Sequence, residues 1–273
     1  NIGTSVLGKP LFYLKIGVGQ SEVFYNASHH ANEWITSPLL MAYLEDYANA
    51  YAFDSTIFNR NATELYNEAS LYIVPMVNPD GVDLVTGEIA PGSEIYNRAL
   101  RMNYPPVDFP GGWKANINGV DLNLQYPAGW EEARSIKFAQ GYTSPGPRDY
   151  VGSAPLSQPE SRAMYNFTLN HNFRLTLSYH TQGRVIYWKY LNYEPVNSYQ
   201  IAQVMGRLSG YSVEETPAYS AFAGYKDWFI LNYNRPGYTI EVGEGISPLP
   251  LSQFDGIYSE NVGILTYCQT AAG

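Results

Sequence analysis

The run Val23-Phe24-Tyr25-Asn26-Ala27-Ser28 passes directly into His29-His30-Ala31-Asn32-Glu33 and then into Pro38-Leu39-Leu40-Met41-Ala42-Tyr43-Leu44. A short apolar run predicts a buried strand, and the spacing of the later apolar residues predicts an amphipathic helix. A strand that feeds a helix in this way is the unit of an α/β fold, with the helix laid on one face of a sheet. The link between them holds His30 and Glu33 three residues apart. On a first helical turn, side chains at i and i+3 share a face, so both can reach one point in space. A His and a Glu also occur at helix N-termini because a carboxylate is stabilised there. The pair needs a distant partner before it implies chemistry.

His180 is that partner. The chain has four histidines, His29, His30, His171 and His180. His180 closes the strand-like run Phe173-Arg174-Leu175-Thr176-Leu177-Ser178-Tyr179, and open α/β sheets bind ligands at the carboxyl ends of their strands. His plus Glu with a distant second His is the ligand set of a catalytic zinc that keeps its fourth position open. The expected metal ligands are therefore His30, Glu33 and His180, holding one zinc ion per chain. His29 competes with His30 but has no acid at the i+3 spacing. His171, in the polar Asn170-His171-Asn172 junction, is expected in solvent.

Strand patterns fall at about 10–18, 22–28, 71–77, 173–180, 184–190 and 237–242, and helix patterns at about 33–50, 157–171, 195–209 and 254–270. This alternation predicts a single-domain α/β fold over residues 1–273, a mixed β-sheet flanked by helices on both faces. Ser157-Gln158-Pro159-Glu160 has the pattern of a capping box at a helix start. The stretch 79–156, rich in Gly, Pro and Asn, is too long for a plain connection and is expected to wall a cleft.

Composition narrows the partners. With 45% hydrophobic and 15% charged residues the chain is not of the disordered class. Its net charge of −9 argues against nucleic acid or an anionic membrane surface. No apolar run reaches the length of a membrane span. The single cysteine, Cys268, excludes an intramolecular disulfide and reads as an inert buried thiol. The 25 tyrosines offer broad faces with polar tips, suited to a carbohydrate–peptide polymer as well as to packing.

A set of ordered blocks now carries a resemblance. Ile2-Gly3-Thr4-Ser5-Val6-Leu7-Gly8, the His30/Glu33 pair, Asn78-Pro79-Asp80-Gly81, Gly119-Val120-Asp121-Leu122-Asn123, Ser178-Tyr179-His180 and Thr239-Ile240-Glu241 resemble the zinc metallocarboxypeptidase (carboxypeptidase A) superfamily over nearly the whole chain. Trp113-Lys114-Ala115-Asn116, His180-Thr181-Gln182-Gly183-Arg184 and Gly224-Tyr225-Lys226-Asp227-Trp228 make it most similar to the bacterial γ-D-glutamyl-diamino acid endopeptidases, which cut peptidoglycan stem peptides. The resemblance implies a carboxypeptidase-like fold and gives each block a role. Glu241 is the general base and acid, with Glu244 as fallback. Tyr219 is the mobile tyrosine that donates to the substrate amide, packing being its alternative role. Lys114 polarises the scissile carbonyl where arginine is usual, Arg101 being a substitute.

Asn123 is retained, but Leu124 stands where carboxypeptidases carry the arginine that grips a terminal carboxylate bidentately. Its loss implies endopeptidase action. Lys226, at the side-chain specificity position, and Arg184 are expected to meet the spare carboxylates of a γ-linked D-glutamate and a diamino acid (diaminopimelate or L-Lys), with a solvated loop position as the alternative for Lys226. Asp121 and Asp80 are expected to orient ligands or brace the structure. The resemblance places the protein at the bacterial cell wall or secreted, with growth, sporulation and recycling all open as settings, and with wall-binding repeats N-terminal to this chain. The abrupt opening at Asn1-Ile2-Gly3 reads as a processed or truncated start. The rivals are a metallocarboxypeptidase trimming C-terminal residues, a catalytically silent wall-binding protein, and a zinc deacylase on the same fold. Leu124 speaks against the first, and the intact set His30, Glu33, His180 and Glu241 against the second.

Overall fold

Seven strands pair into one mixed sheet, and the two-residue period of their side chains decides what covers each face. The computed structural model describes residues 1–271. In chain order the strands are β1 (Leu14–Ile16), β2 (Ser21–Ala27), β3 (Ala69–Val74), β4 (Leu175–His180), β5 (Val185–Tyr187), β6 (Ser212–Glu214) and β7 (Gly237–Glu241). In space they run β6-β5-β7-β4-β2-β3-β1. The central strands β7, β4, β2 and β3 are parallel, while β1 joins β3 and β5 joins β7 in antiparallel fashion. Parallel strands covered on both faces read as continuous apolar runs, and every residue of β3 and β4 is buried.

The helices are α1 (Thr36–Ala52), α2 (Ala62–Glu68), α3 (Pro79–Thr86), α4 (Glu94–Arg101), α5 (Trp130–Ala139), α6 (Pro159–Leu169), α7 (Ser198–Ser209), α8 (Tyr225–Tyr233) and α9 (Phe254–Tyr267). Val23, Tyr25, Leu175, Leu177, Tyr238 and Ile240 face α1, α7 and α9 in the larger core. Phe24, Tyr72 and Val74 point the other way, against Met164 and Phe167 of α6 and Trp228 and Phe229 of α8. By the same alternation His180 and Glu241 lie on the α8 side of the sheet, at the carboxyl ends of their strands. The expected mixed sheet with helices on both faces is what forms.

Several boundaries differ from expectation. The predicted strand at 10–18 is broken: Pro10–Leu11 pairs with Gly3–Thr4, and only Leu14–Ile16 enters the main sheet. The stretch 79–156 contains the short helices α3, α4 and α5, separated by segments rich in Gly, Pro and Asn. Asn78 caps α3 by accepting from the Gly81 N–H, Pro79 opens it, and Gly87 ends it at φ 89°, so its start and stop signals were present in the sequence. Helix α6 starts where expected, but its N-cap is Gln158 without a side-chain cap. Ser157 donates to Gln125 Oε1 instead, at 3.0 Å. His171 is not solvated as predicted: it is half-buried, its ring stacks on Phe173 at 4.8 Å, and Nδ1 lies 3.3 Å from Glu22. Cys268 is buried, and burial pushes its thiol up. No helix among the described residues is long and apolar enough to cross a membrane.

Candidate metal centre and substrate cleft

Strand β2 gives way to helix α1 through a turn whose hydrogen bonds set the first two candidate ligands. Ser28 adopts a left-handed backbone, φ 54°, and its N–H donates to Thr36 Oγ1 at 3.1 Å. Thr36 Oγ1 in turn donates to the Glu33 carbonyl at 2.8 Å. His30 is extended, φ −100° and ψ 132°, and caps a single 3₁₀ turn over Ala31–Glu33. Side chains three apart nearly eclipse in such a turn, and His30 Nδ1 lies 2.9 Å from Glu33 Oε1. The Ala31 N–H donates to the Lys114 carbonyl at 3.0 Å, tying that segment to the turn. Asn78 donates to the carbonyls of His29 (3.3 Å) and Ala115 (3.0 Å) from the opposite side.

His180 arrives from β4. Its Nδ1 is 2.8 Å from Glu33 Oε2 and 3.1 Å from His30 Nδ1. The three ligand atoms lie within 4.8 Å of one another, and all three residues are buried. Two imidazole nitrogens this close cannot both point hydrogens at each other, so at least one presents a lone pair, and both do once His30 gives up its proton. Two nitrogens and one carboxylate are the donors zinc takes. The residues therefore fit the ion, with the partners needed to hold them. His30 Nε2 lies 3.0 Å from Asp121 Oδ1, and the Thr181 N–H donates to Glu33 Oε2 at 3.2 Å. His29 is turned away, its Nε2 3.0 Å from the Tyr126 hydroxyl. Asp80 sits elsewhere, accepting from Ser5 Oγ and the Leu7 N–H at 2.8 Å each, so it braces the chain as expected.

Charge is concentrated at this point. Burial favours the neutral form of Glu33, but His30 and His180 beside it hold its carboxyl far below the usual range. Burial likewise opposes charge on His30, yet Glu33 and Asp121 raise it to about 9. Burial lowers His180 despite Glu33. Asp121 is held low against burial by His30 and Lys114. Lys114, its Nζ 4.0 Å from Glu33 Oε1, is raised by Glu33 and Asp121 over the opposing effect of burial.

Register places the remaining acid. Glu241 pairs with His180 across the parallel β7/β4 ladder, so two strand ends deliver a carboxylate and a metal ligand side by side. Burial and then the charge of Glu33 push Glu241 up to about 8. A cleft of about 200 Å³ opens over these groups, lined also by Lys114, Asn123, Leu124, Tyr219 and Lys226. Tyr219 stands on the exposed turn Ala218–Ser220, 62% accessible. Asn123 Oδ1 accepts from the Tyr225 N–H at 3.0 Å, which fixes the amide at the cleft wall.

Three expectations are corrected. Arg184 is not brought to the cleft; it sits over the Tyr211 ring and pairs with Glu260 (2.8 Å) and Glu244 (3.8 Å). Its backbone is left-handed, φ 52°, directly after Gly183. Lys226 is not a solvated loop residue. It lies buried in the first turn of α8, where Nζ donates to Asp227 Oδ1 (2.6 Å) and the Lys189 carbonyl (2.7 Å). Arg101 ends the exposed face of α4 outside the cleft lining. The sequence reading also missed Lys137 and Asp149, both in the cleft wall. The available signal was the four-residue step from Ala133 to Lys137, which puts both on the buried side of α5.

Two imidazoles and a carboxylate at the carboxyl edge of an α/β sheet, with an acid one strand away, define a single-metal site of the hydrolytic kind. The model of the zinc carboxypeptidase family matches residues 1–263, and the chain belongs to that family. It is 48% identical over 263 residues to gamma-D-glutamyl-L-diamino acid endopeptidase 1 of Lysinibacillus sphaericus, covering 96% of this chain and 65% of that protein. It is 26% identical to carboxypeptidase B of Bos taurus, covering 97% of this chain and 63% of that protein. The chain thus spans somewhat less than two thirds of the length of these curated relatives. Among solved structures, carboxypeptidase A from Helicoverpa armigera superposes with a TM-score of 0.71 at 23% identity, over 99% of this chain and 67% of that one.

Proposed function

We propose that this protein is a zinc-dependent endopeptidase that hydrolyses the γ-D-glutamyl–diamino acid bond of peptidoglycan stem peptides. The observation that carries the reading is a complete His30–Glu33–His180 and Glu241 constellation in a cleft where Leu124 is the buried side chain at its wall. An aliphatic group there gives no charged anchor to a chain end, so residues beyond the cut bond are tolerated. The similarity to the Lysinibacillus sphaericus endopeptidase supports the same substrate class. In this reading residues 1–273 act as one catalytic unit at the bacterial wall.

His30, Glu33 and His180 would hold the zinc, with Asp121 fixing the His30 ring from Nε2. The ion supplies Lewis acidity for the scissile carbonyl and lowers the pKa of water. Glu241 accepts a proton from the attacking water and hands it to the departing amine, so the new C–O bond and the broken C–N bond balance without a co-reactant. Lys114 brings a positive charge to the carbonyl oxygen as it gains electron density. Tyr219, on its exposed turn, donates to the substrate amide, while Asn123 and Lys226 shape the substrate wall. Incubating zinc-loaded protein with L-Ala-γ-D-Glu-diaminopimelate, with and without further residues, and identifying products by mass spectrometry tests this. Release of only single C-terminal residues from ordinary α-peptides would establish the carboxypeptidase reading instead.

A further inference from the structure

We propose that Lys137, held by Asp149 with Arg148 beside it, is a specificity-determining residue that reads a carboxylate of the leaving diamino acid. The inference rests on the substrate class proposed above. Leu124 packs against Trp130 and Ala133 of α5. One turn further along that buried face is Lys137. Its side chain is 10% exposed and lines the cleft together with Leu124, with an apolar stem able to bury while the ammonium reaches the cleft. A cation therefore returns close to the place that an aliphatic side chain occupies at position 124.

The pairing of the cleft cations singles this one out. Lys226 is matched by Asp227 and the Lys189 carbonyl. Lys114 lies in the field of two carboxylates, Glu33 and Asp121. Lys137 Nζ donates to Asp149 Oδ1 at 2.6 Å, but Asp149 Oδ2 also accepts from Arg148 Nε at 2.5 Å. At hydrogen-bond distance two cations share this one carboxylate, while Asp121 acts on both only at longer range, so Lys137 keeps ammonium donors that an anion would complete. Asp149 itself holds a left-handed backbone, φ 62°, a conformation that persists in a non-glycine residue where its surroundings over-determine it.

The carboxylate that Lys137 reads is the one at the far end of diaminopimelate, because the α-carboxyl is the group that carries any residues beyond the cut bond, and a set of three peptides separates the two. Zinc-loaded protein is assayed on L-Ala-γ-D-Glu-diaminopimelate, on its α-carboxamide, and on the peptide with L-lysine as the leaving residue. The wild type should discriminate against the L-lysine peptide by roughly ten- to a hundredfold in kcat/KM, the scale of a charged hydrogen bond, and accept the α-carboxamide; discrimination against the α-carboxamide alone overturns the proposal. Lys137→Met should bring that ratio close to one, and Lys137→Arg should restore most of it, with zinc content unchanged in both. Equal discrimination by wild type and Lys137→Met overturns the proposal. If the methionine variant does not fold, Asp149→Asn replaces it. Releasing the lysine should sharpen the discrimination, and an unchanged ratio overturns the inference. If the wild type cleaves none of the peptides, the functional reading fails. Calorimetric binding of glutarate to zinc-loaded wild type and Lys137→Arg, against Lys137→Met or Asp149→Asn, then decides this inference alone: identical affinity in every form overturns it.

Discussion

At the scale of residues, identity mattered less than which atom each side chain presents. His29 and His30 are neighbours in sequence and both buried, yet only His30 has a nitrogen beside Glu33, while His29 is spent on the Tyr126 hydroxyl. The i+3 spacing made that choice legible in advance. Register favours Glu241 over Glu244 for the proposed role, since Glu241 lies opposite His180 whereas Glu244 is exposed and lies 3.8 Å from Arg184. Glu241→Gln should keep zinc and lose about two to four orders of magnitude in kcat, the usual contribution of a general base. Near-normal turnover would move the role to Glu244. The metal-free His30 adds a pH test. Its folded pKa of about 9 lies above the ~6.5 of an unfolded histidine. The stability this proton brings is fully present below about 6.5 and is lost as pH rises through 9. Zinc must displace the same proton, so calorimetry at pH 6 to 9 should show affinity rising with pH and proton release in the lower part of the range. A flat profile would mean His30 is already neutral.

At the scale of elements, the long apolar strands and α1, α6, α7 and α9 were readable because their burial follows one period throughout. Helices α2, α3, α4, α5 and α8 were not, since each is ten residues or fewer and too brief for its period to stand out. Helix α8 shows the consequence. Read as a motif, Lys226 looked free to bind a substrate carboxylate; in the helix it is neutralised by the adjacent Asp227, both side chains being 4% exposed. Lys226→Met is therefore expected first to destabilise the fold, by about 3–5 kcal/mol, because it strands a buried carboxylate. Denaturant midpoints measure this, and Lys226→Met with Asp227→Asn should recover much of the loss. A single variant as stable as wild type would return Lys226 to the free state the sequence implied.

At the scale of the molecule, the two main cores lie on opposite faces of the sheet and contain none of the metal ligands. Chelation should accordingly lower Tm, since a ligand that binds only the folded state stabilises it by mass action, while far-ultraviolet circular dichroism keeps its native form at 25 °C. Unfolding on chelation at that temperature would show that the metal, not the cores, holds the chain together. What the sequence determined by itself was local or periodic: the α/β alternation, the strand-to-turn His30/Glu33 pair, the strand-end His180 and Glu241, and the absence of an arginine at 124. These were legible because backbone period and i+3 spacing act over a few residues. Only the tertiary structure decided that Arg184 turns away, that Lys226 is matched, and that Lys137 and Asp149 reach the cleft wall. Those outcomes depend on which distant charge or apolar face each side chain meets, and burial energy is set by such meetings rather than by chain neighbours.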